Sequence, residues 1–342
     1  MFGLDVLLTR PKLPRQGART GLLAHAASLD LNGVHAAKRI HERGEWRLQR
    51  LFSPEHGFHG KGAAGEIIPT QTHPDFHLPI FSLYGETRTP PPEWLEDLDL
   101  MVIDLQDLGV RCYTYASTLQ NVLQACAAAD LPVLVLDRPT PLAGIVDGPD
   151  LDPQFRSFVG QIDLPLVYGL SQGPLALHLQ KTDPKLHRLQ LEVISASAPS
   201  RDLPWHPPSP AIGSPESARL YPLTVWCEAI PEVSVDRGGP RSFQIWAMPD
   251  LNPDPLIPKL QQPGLHVESG HSEKEGWPAL CFRLDPEADW KPVTAAIQLL
   301  TALRDQLGAE RLFACPGARP AFFDKLMGTD RIRRQIEHRK HP

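Results

Sequence analysis

The sequence is poor in cysteine and contains no cysteine pair. Its five cysteines lie far apart, at positions 112, 126, 227, 281 and 315, and no Cys-x-x-Cys motif occurs. A disulfide framework and a zinc-ribbon type of metal site are therefore not expected. Free thiols favour a reducing compartment, so the cytoplasm is the expected location.

Long apolar runs and a polybasic segment that would point to a membrane are missing as well, and the basic residues at 331–340 are expected to form a solvated helix face. No segment approaches the roughly 20 apolar residues of a membrane-spanning helix, and residues 1–17 lack the apolar region of a secretory signal. The formal charge of −6 is spread along the chain without a basic stripe. We therefore expect neither a membrane nor a nucleic acid as partner. The Gly-x-x-x-x-Gly-Lys-Ser/Thr loop is also absent, and we expect no cofactor.

The composition that remains is that of a globular protein, with 42% hydrophobic and 22% charged residues in a chain of 342. This length suggests two domains. The first half alternates short strands with helices, which predicts an α/β fold with a Rossmann-like, doubly wound, mostly parallel sheet. The second half has an α+β pattern. We predict a catalytic domain over residues 1–200 and a smaller domain over 201–342 that closes the cleft. The oligomeric state stays open.

The individual elements follow from apolar runs and the residues that flank them. In the first half, strands are predicted at 20–26, 47–52, within 76–84, and at 98–105, 131–136, 164–168 and 189–194, with helices at 33–43, 118–130 and 175–180. In the second half, strands are predicted at 223–229, 242–246 and 279–284, and helices at 293–307 and 321–337.

Polar side chains follow most of the strands predicted in the first half. They are Glu55, Glu86, the cluster from Asp104 to Arg111, the pair Asp137-Arg138, and Ser171. The carboxyl ends of parallel strands meet at one edge of a sheet, and open α/β folds bind their ligands there. We therefore predict the functional site at this edge.

Glu55 stands in a Pro-Glu-His-Gly segment directly after the second predicted strand. A carboxylic acid in a loop closed off from water can have a raised pKa and act as a general acid. The same side chain could instead cap a following helix. The segment alone does not decide between these two roles.

Asp104 and Asp107 are a second source of carboxylates, and glycoside hydrolysis commonly uses a pair. Their spacing keeps them from lying flat on one strand face, so we expect one in the cleft and Asp107 at the turn. Asp104 could instead pair with Arg111 or Arg138. The planar guanidinium of Arg111 suits a substrate carboxylate, or else a structural ion pair with Asp104 or Asp137.

Four histidines, at positions 56, 59, 73 and 77, raise the alternative of a metal-dependent hydrolase. Asp104 would then be a further ligand. The spacing of these histidines matches no established ligand motif such as His-Glu-x-x-His, so a metal site is not expected.

Five segments of the first half carry a more specific signal. They read Phe52-Ser-Pro-Glu-His-Gly-Phe-His-Gly60, Phe81-Ser-Leu-Tyr-Gly85, Asp104-Leu-Gln-Asp-Leu-Gly-Val-Arg-Cys-Tyr-Thr-Tyr115, Val135-Leu-Asp-Arg-Pro139 and Ser157-Phe-Val-Gly160. In this order they resemble the exo-β-N-acetylmuramidase (NamZ) family. The resemblance implies a Rossmann-like domain joined to a smaller one. It also implies release of N-acetylmuramic acid from the non-reducing end of peptidoglycan fragments, in cell-wall turnover and recycling.

The resemblance also implies roles for single residues. Glu55 would be the catalytic acid, and Asp104 or Glu86 would stabilise the oxocarbenium-like state or activate water. Arg111 would meet the lactyl carboxylate, which is inferred from its charge and shape. The substrate site would contain His56, Glu86, Gln106, Asp107, Arg111, Tyr113, Tyr115, Arg138, Glu228 and Arg237.

The chain departs from the family pattern at three places. Gly-x-Thr-x-Gly-Glu is replaced by Gly169-Leu-Ser-Gln-Gly-Pro174, and two later segments persist only as Glu228-Ala229 and Asp236-Arg-Gly-Gly239. Pro174 suits the first turn of a helix, so we expect the fold to be kept. The lost Glu leaves open an alternative function, a protein that binds a muropeptide or sugar acid without cleaving it.

Overall fold

The structure is a computed structural model that describes residues 1–260 and 262–338, and the chain divides into two compact units. Unit 1 comprises residues 1–108, 114–143 and 170–210, and unit 2 comprises 109–113, 144–169 and the chain from 211 onward. A single domain boundary at residue 200 stays a prediction. The two units are not continuous in sequence, since residues 109–113 and 144–169 precede position 200 and belong to unit 2.

A seven-stranded sheet forms the centre of unit 1. Its strands are β1 (Arg19–Ala24), β2 (Arg47–Ser53), β3 (Gln71–Thr72), β4 (Pro79–Ser82), β5 (Leu100–Asp104), β6 (Val133–Leu136) and β7 (Leu191–Ile194). They lie in the order β3-β4-β2-β1-β5-β6-β7, and every pair is parallel except β3 with β4. The predicted α/β class with a mostly parallel sheet is confirmed.

The helices of unit 1 connect these strands. They are α1 (Gly3–Thr9), α2 (Ala36–Arg43), α3 (Tyr115–Ala128) and α4 (Gln172–Thr182). Helix α1 was not predicted from the sequence, and at its start the Asp5 carboxylate accepts a hydrogen bond from the backbone N–H of Phe2 at 3.0 Å. Gly44 ends α2 with a left-handed φ of 69°, as helix-terminating glycines commonly do. Pro174 lies in the first turn of α4, as expected.

A hydrophobic cluster joins α1 and α2 to the sheet. Alternate residues of β1 and β6 belong to it, among them Leu22, Ala24, Leu134 and Leu136. All five residues of β5 are buried, because this strand lies between β1 and β6. Whatever follows β5 therefore starts inside the protein, where polar groups need partners.

Unit 2 contains a smaller antiparallel sheet of β8 (Ile245–Ala247), β9 (Leu265–His271) and β10 (Pro278–Leu284), in the order β8-β10-β9. Its helices are α5 (Pro215–Thr224), α6 (Pro292–Leu307), α7 (Ala309–Phe313), α8 (Pro320–Met327) and α9 (Arg331–His338). The predicted α+β pattern is confirmed. No helix in residues 1–260 and 262–338 is both long and apolar enough to cross a bilayer.

Three predicted elements differ from the structure. Residues 164–168 form no strand of the sheet, since Val167 makes only isolated bridges, to Val110 and Asp147. Residues 223–229 are the end of α5 and a short 3-10 helix, although their apolar run reads as a strand. The long helix predicted over 321–337 is divided into α8 and α9 by Gly328, whose φ of 72° is left-handed.

Candidate active site

Glu55 lies just beyond the carboxyl end of β2 and is 7% exposed. Its Oε1 accepts a hydrogen bond from the backbone N–H of Gly65 (2.8 Å), and its Oε2 accepts one from the Thr114 hydroxyl (2.7 Å). Two distant segments of unit 1 thus orient a single carboxyl group. Because residues 54–70 form turns and loops, the alternative role of Glu55 as a helix cap is wrong.

His56 stabilises the loop that carries Gly65. It is 8% exposed, its Nδ1 lies 2.9 Å from the carbonyl oxygen of Gly62, and the N–H of Gly62 donates to the carbonyl of His56 at 3.1 Å. Its φ of 70° is uncommon for a residue with a side chain. His56 therefore supports the surroundings of Glu55, and its contact with substrate stays a prediction.

Tyr84 belongs to this site and was not among the residues predicted for it from the sequence. Burial and the Glu55 carboxylate raise the pKa of Tyr84, whose hydroxyl is hydrogen-bonded to that carboxylate. The Arg88 guanidinium carbon lies 3.8 Å from the centroid of the Tyr84 ring, within cation–π range. Tyr84 follows β4, so its position after a strand was the available signal. Glu86, which was predicted from this loop, is exposed.

Asp104 and Arg138 form a buried ion pair at the ends of β5 and β6, and each is 0% exposed. Arg138 donates to Asp104 through Nε and, at 3.0 Å, through Nη2. Nη2 also donates to the carbonyl of Leu29 at 2.7 Å. The expected alternative that Asp104 pairs with Arg138 is confirmed. Both side chains hold neighbouring strand ends together in unit 1, and their roles toward a substrate stay predictions.

Asp107 and Gln106 hold the backbone that follows β5. Asp107 is 0% exposed, and its Oδ1 accepts from the N–H of Leu108 at 2.8 Å, so it holds the backbone locally, while its role toward a substrate stays a prediction. The Gln106 side chain donates to the carbonyls of Asp107 (3.0 Å) and Pro139 (3.1 Å). These bonds keep the turn in shape.

Tyr115 is the first residue of α3 and is fully buried. Its hydroxyl donates to the carbonyl of Pro208 at 2.9 Å and lies 3.2 Å from the carbonyl of Glu55. The same hydroxyl is 3.3 Å from Nδ1 of His25. His25 was not predicted as a site residue from the sequence, which places it inside the strand predicted over 20–26, whereas it directly follows the observed β1.

Arg111 lies in unit 2 and is 1% exposed. Its guanidinium donates to three carbonyl oxygens, those of Pro149 (3.1 Å), Leu164 (2.6 Å) and Met327 (2.6 Å). Burial lowers the pKa of Arg111 to about 10. Carbonyls rather than carboxylates hold this side chain, so the expected structural ion pair is wrong. A contact with a lactyl carboxylate stays a prediction, and the bonds of the guanidinium argue against it.

Unit 2 also contains Tyr113, Glu228 and Arg237. Tyr113 is 6% exposed and lies edge-on to Tyr221, with ring centroids 5.9 Å apart. Glu228 and Arg237 form an ion pair whose side chains are 24% and 36% exposed. The guanidinium of Arg237 lies 5.5 Å from the ring of Phe243. Their predicted substrate contacts stay predictions.

Two glycine patterns have the spacing of known motifs without the corresponding structure. Gly60-Lys-Gly-Ala-Ala-Gly65 matches the Gly-x-Gly-x-x-Gly spacing, yet it lies in a loop and its last N–H donates to Glu55. Gly169-Leu-Ser-Gln-Gly173 matches the spacing of a nucleophile elbow, whose Ser is strained. Ser171 has an ordinary φ of −79° at the start of α4 and donates to Asp137 at 3.0 Å. Neither segment therefore has the conformation that its motif requires.

The histidine cluster gives no support to a metal-dependent hydrolase. Within the described ranges, no three His, Cys, Asp or Glu side chains lie close enough to share a metal ion. His73 stacks on Phe76 with ring centroids 4.3 Å apart, and burial lowers the pKa of His73. Asp104, the further ligand of that alternative, is bound to Arg138.

Comparison with known proteins gives two family matches that cover most of the chain. Residues 20–216 match the N-terminal part of exo-β-N-acetylmuramidase NamZ, and residues 219–342 match its C-terminal part. Over 354 aligned residues the chain is 30% identical to the peptidoglycan β-N-acetylmuramidase NamZ of Bacillus subtilis, across 98% of this chain and 84% of that protein.

Two crystal structures of DUF1343 family proteins from Bacteroides fragilis have the same fold. The first matches this chain with a TM-score of 0.83 at 27% identity, and the match covers 98% of this chain and 89% of the Bacteroides chain. The second matches with a TM-score of 0.74 at 25% identity, and the match covers 100% of this chain and 91% of the other. The predicted resemblance and the class of enzyme, a glycoside hydrolase, are confirmed. Motifs, fold and both matches agree that the chain belongs to the exo-β-N-acetylmuramidase NamZ family.

Proposed function

We propose that this chain releases N-acetylmuramic acid from the non-reducing end of peptidoglycan fragments, with Glu55 as the proton donor. The observation that carries the proposal is the nearly buried Glu55 carboxyl, which has a hydrogen-bond donor on each oxygen at the end of a parallel strand. The family match and the B. subtilis relative support the same substrate class.

The bonds from Gly65 and Thr114 to Glu55 favour the proton on one of its two oxygens. The backbone N–H of Gly65 can only donate, so Oε1 stays an acceptor. The proton of the acid form then lies on Oε2, where the Thr114 hydroxyl can turn and accept it. Bound substrate would place its glycosidic oxygen within reach of this proton, as general acid catalysis requires. Donors already in place would then stabilise the carboxylate that the transfer leaves.

Of the two candidates for the second catalytic group, Glu86 has the accessibility that the role requires. It is exposed and lies two residues beyond Tyr84, which is hydrogen-bonded to Glu55. Asp104 is fully buried against Arg138 and would have to leave that ion pair to reach water. A Glu86→Gln variant tests the assignment, and wild-type turnover in that variant would remove Glu86 from the reaction.

The test of the function is hydrolysis of a chromogenic β-N-acetylmuramide beside the matching N-acetylglucosaminide, by wild type and Glu55→Gln. We expect release from the muramide alone, and its loss in the variant by about 10²- to 10⁴-fold, the usual contribution of a general acid. Urea unfolding of the variant shows whether the fold is kept. Release by the variant at the wild-type rate would refute the role of Glu55. Sugar binding without release by wild type would favour the alternative of a binding protein.

We also propose that the enzyme works in the cytoplasm on imported or internal muropeptides. All five cysteines are free thiols, and burial raises the pKa of Cys112 to about 12. Unpaired cysteines fit a reducing compartment. Cell fractionation with the muramidase assay tests this, and activity confined to the exported fraction would contradict it.

A further inference from the structure

His25 is fully buried directly after β1, and its hydrogen bonds fix its proton. The backbone N–H of Gln106 donates to Nε2 at 2.9 Å, so Nε2 is the nitrogen without a proton. The proton of the neutral ring therefore lies on Nδ1. This nitrogen is 3.3 Å from the carbonyl of Pro208 and 3.3 Å from the Tyr115 hydroxyl. The geometry thereby selects one of the two neutral tautomers.

The segment from His25 to Ser28 holds the backbone that follows β5. The Ser28 hydroxyl accepts from the N–H of His25 (2.9 Å) and donates to the carbonyl of Asp104 (2.6 Å). The ring itself accepts from Gln106, two residues further along. On its other side it meets Tyr115, whose hydroxyl reaches the carbonyl of Glu55. His25 thus stands between Glu55 and the turn after β5.

We propose that His25 is a positioning residue for the muramidase reaction. Its ring, neutral and protonated on Nδ1, holds the turn after β5 and the Tyr115 hydroxyl in place relative to Glu55. The proposal rests on the proposed function of Glu55 as the acid. His25 acts through its neighbours rather than on the substrate, because it has no exposed surface.

This arrangement makes the position of the turn sensitive to acid. A second proton would have to bind Nε2, where it would face the N–H of Gln106, and the new charge would lie near the Arg138 guanidinium. His35 and His56 also face the ring, and Nε2 of His35 contacts the carbonyl of His25 at 2.9 Å. Burial, followed by Arg138, holds the pKa of His25 well below its ordinary value. Protonation would therefore break the bond to Gln106.

Two substitutions test separately the hydrogen-bond acceptor of the His25 ring and the space that the ring fills. His25→Gln offers a carbonyl oxygen that can accept from Gln106 and does not titrate, whereas His25→Phe fills space and accepts nothing. We expect His25→Phe to lower kcat on the muramide about 10- to 100-fold, since small displacements of catalytic groups have effects of this size. KM should stay within about twofold, because substrate contacts are not removed. His25→Gln should restore most of kcat and lose less of it in acid.

The tautomer provides a readout that does not depend on activity. In protein labelled with ¹⁵N-histidine, the signal that disappears in His25→Gln should show a proton on Nδ1 and none on Nε2. A proton on Nε2, or wild-type kcat in folded His25→Phe at neutral pH, would overturn the proposal. Failure of the proposed function is a different result, because wild type would then release no sugar while the tautomer could still be measured.

Discussion

The Asp104→Asn variant tests whether the carboxylate after β5 supports the fold or takes part in the reaction. Asp104 and Arg138 have no exposed surface and share two hydrogen bonds. Asparagine keeps the shape of the side chain and one acceptor oxygen but removes the charge. The Arg138 guanidinium is then left buried without its counter-ion, beside the carbonyl of Leu29 to which it also donates.

The expected cost follows from this burial. Breaking a buried ion pair by removing one partner typically destabilises a protein by about 3–5 kcal/mol, because the remaining charge stays desolvated. Since asparagine retains an acceptor, we expect about 3 kcal/mol. With a urea m value of about 3 kcal/mol/M, the unfolding midpoint should fall by about 1 M.

Urea unfolding followed by circular dichroism measures this shift, with Asp99→Asn as the matched control. Asp99 pairs with Arg19, but the two side chains are 44% and 39% exposed, so the midpoint of the control should hardly move. The kcat of folded Asp104→Asn on the muramide should stay within about tenfold of wild type, less than the loss of a general acid or base causes. An unchanged midpoint together with a kcat reduced about 10³-fold would refute the structural role of Asp104 and make it catalytic.

Three further predictions concern the surroundings of the site. Thr114→Val should lower kcat about 10- to 100-fold at constant KM, because a hydrogen bond to a charged group contributes about 1.5–3 kcal/mol; an unchanged kcat in the muramide assay would contradict this. Gly328→Ala should lower the urea midpoint far more than the control Gly33→Ala. Both glycines have a positive φ, but a Cβ at 328 would overlap the Arg111 guanidinium, whereas a Cβ at 33 would meet nothing within 4 Å. Below pH about 6.5 the unfolded chain takes up a proton that buried His25 excludes, so stability should fall by up to about 1.4 kcal/mol per pH unit. Urea unfolding at several pH values should show a shallower fall in His25→Gln, and equal slopes would contradict the assignment.

The parallel sheet was accessible from the sequence because its strands are short apolar runs between polar turns. Residues 98–105 and 131–136 were predicted as strands and form β5 and β6. The failure at 164–168 has a physical cause, since those residues belong to unit 2 and pair with neighbouring loops instead of the sheet. An apolar run shows that a segment is buried but does not show which partner buries it.

The helical errors in the second half have a similar origin. The run at 223–229 is apolar enough for a strand, yet it continues α5. The N–H of Ser217 in the first turn of this helix donates to the Ser214 hydroxyl, which caps the helix. The division of the last predicted helix at Gly328 depends on a left-handed backbone conformation there. Local composition allowed both outcomes, and packing within unit 2 decided between them.

The site was located by its place after strands, but the contacts of its side chains were not predictable. Glu55 and Asp104 both follow strands and both are carboxylates, so the sequence gives no basis for different roles. In the structure Asp104 forms an ion pair with a guanidinium, whereas Glu55 forms hydrogen bonds with one backbone N–H and two hydroxyls. The difference depends on long-range contacts, such as the one between Arg138 and Asp104.

The predicted site residues fall into a buried group and an exposed group. Replacing a residue should have a different effect on stability in each group. The deeply buried ones of unit 1, such as Asp104, Asp107 and Tyr115, bind Arg138 or the backbone, so their replacement should change stability and the geometry around Glu55 in any relative that keeps the fold. The partly or fully exposed ones, Glu86, Glu228 and Arg237, can change without such a cost. Pro174, at the position where the resemblance implies a Glu, is also exposed at the start of α4. We therefore expect differences in substrate preference between relatives to map to these exposed positions.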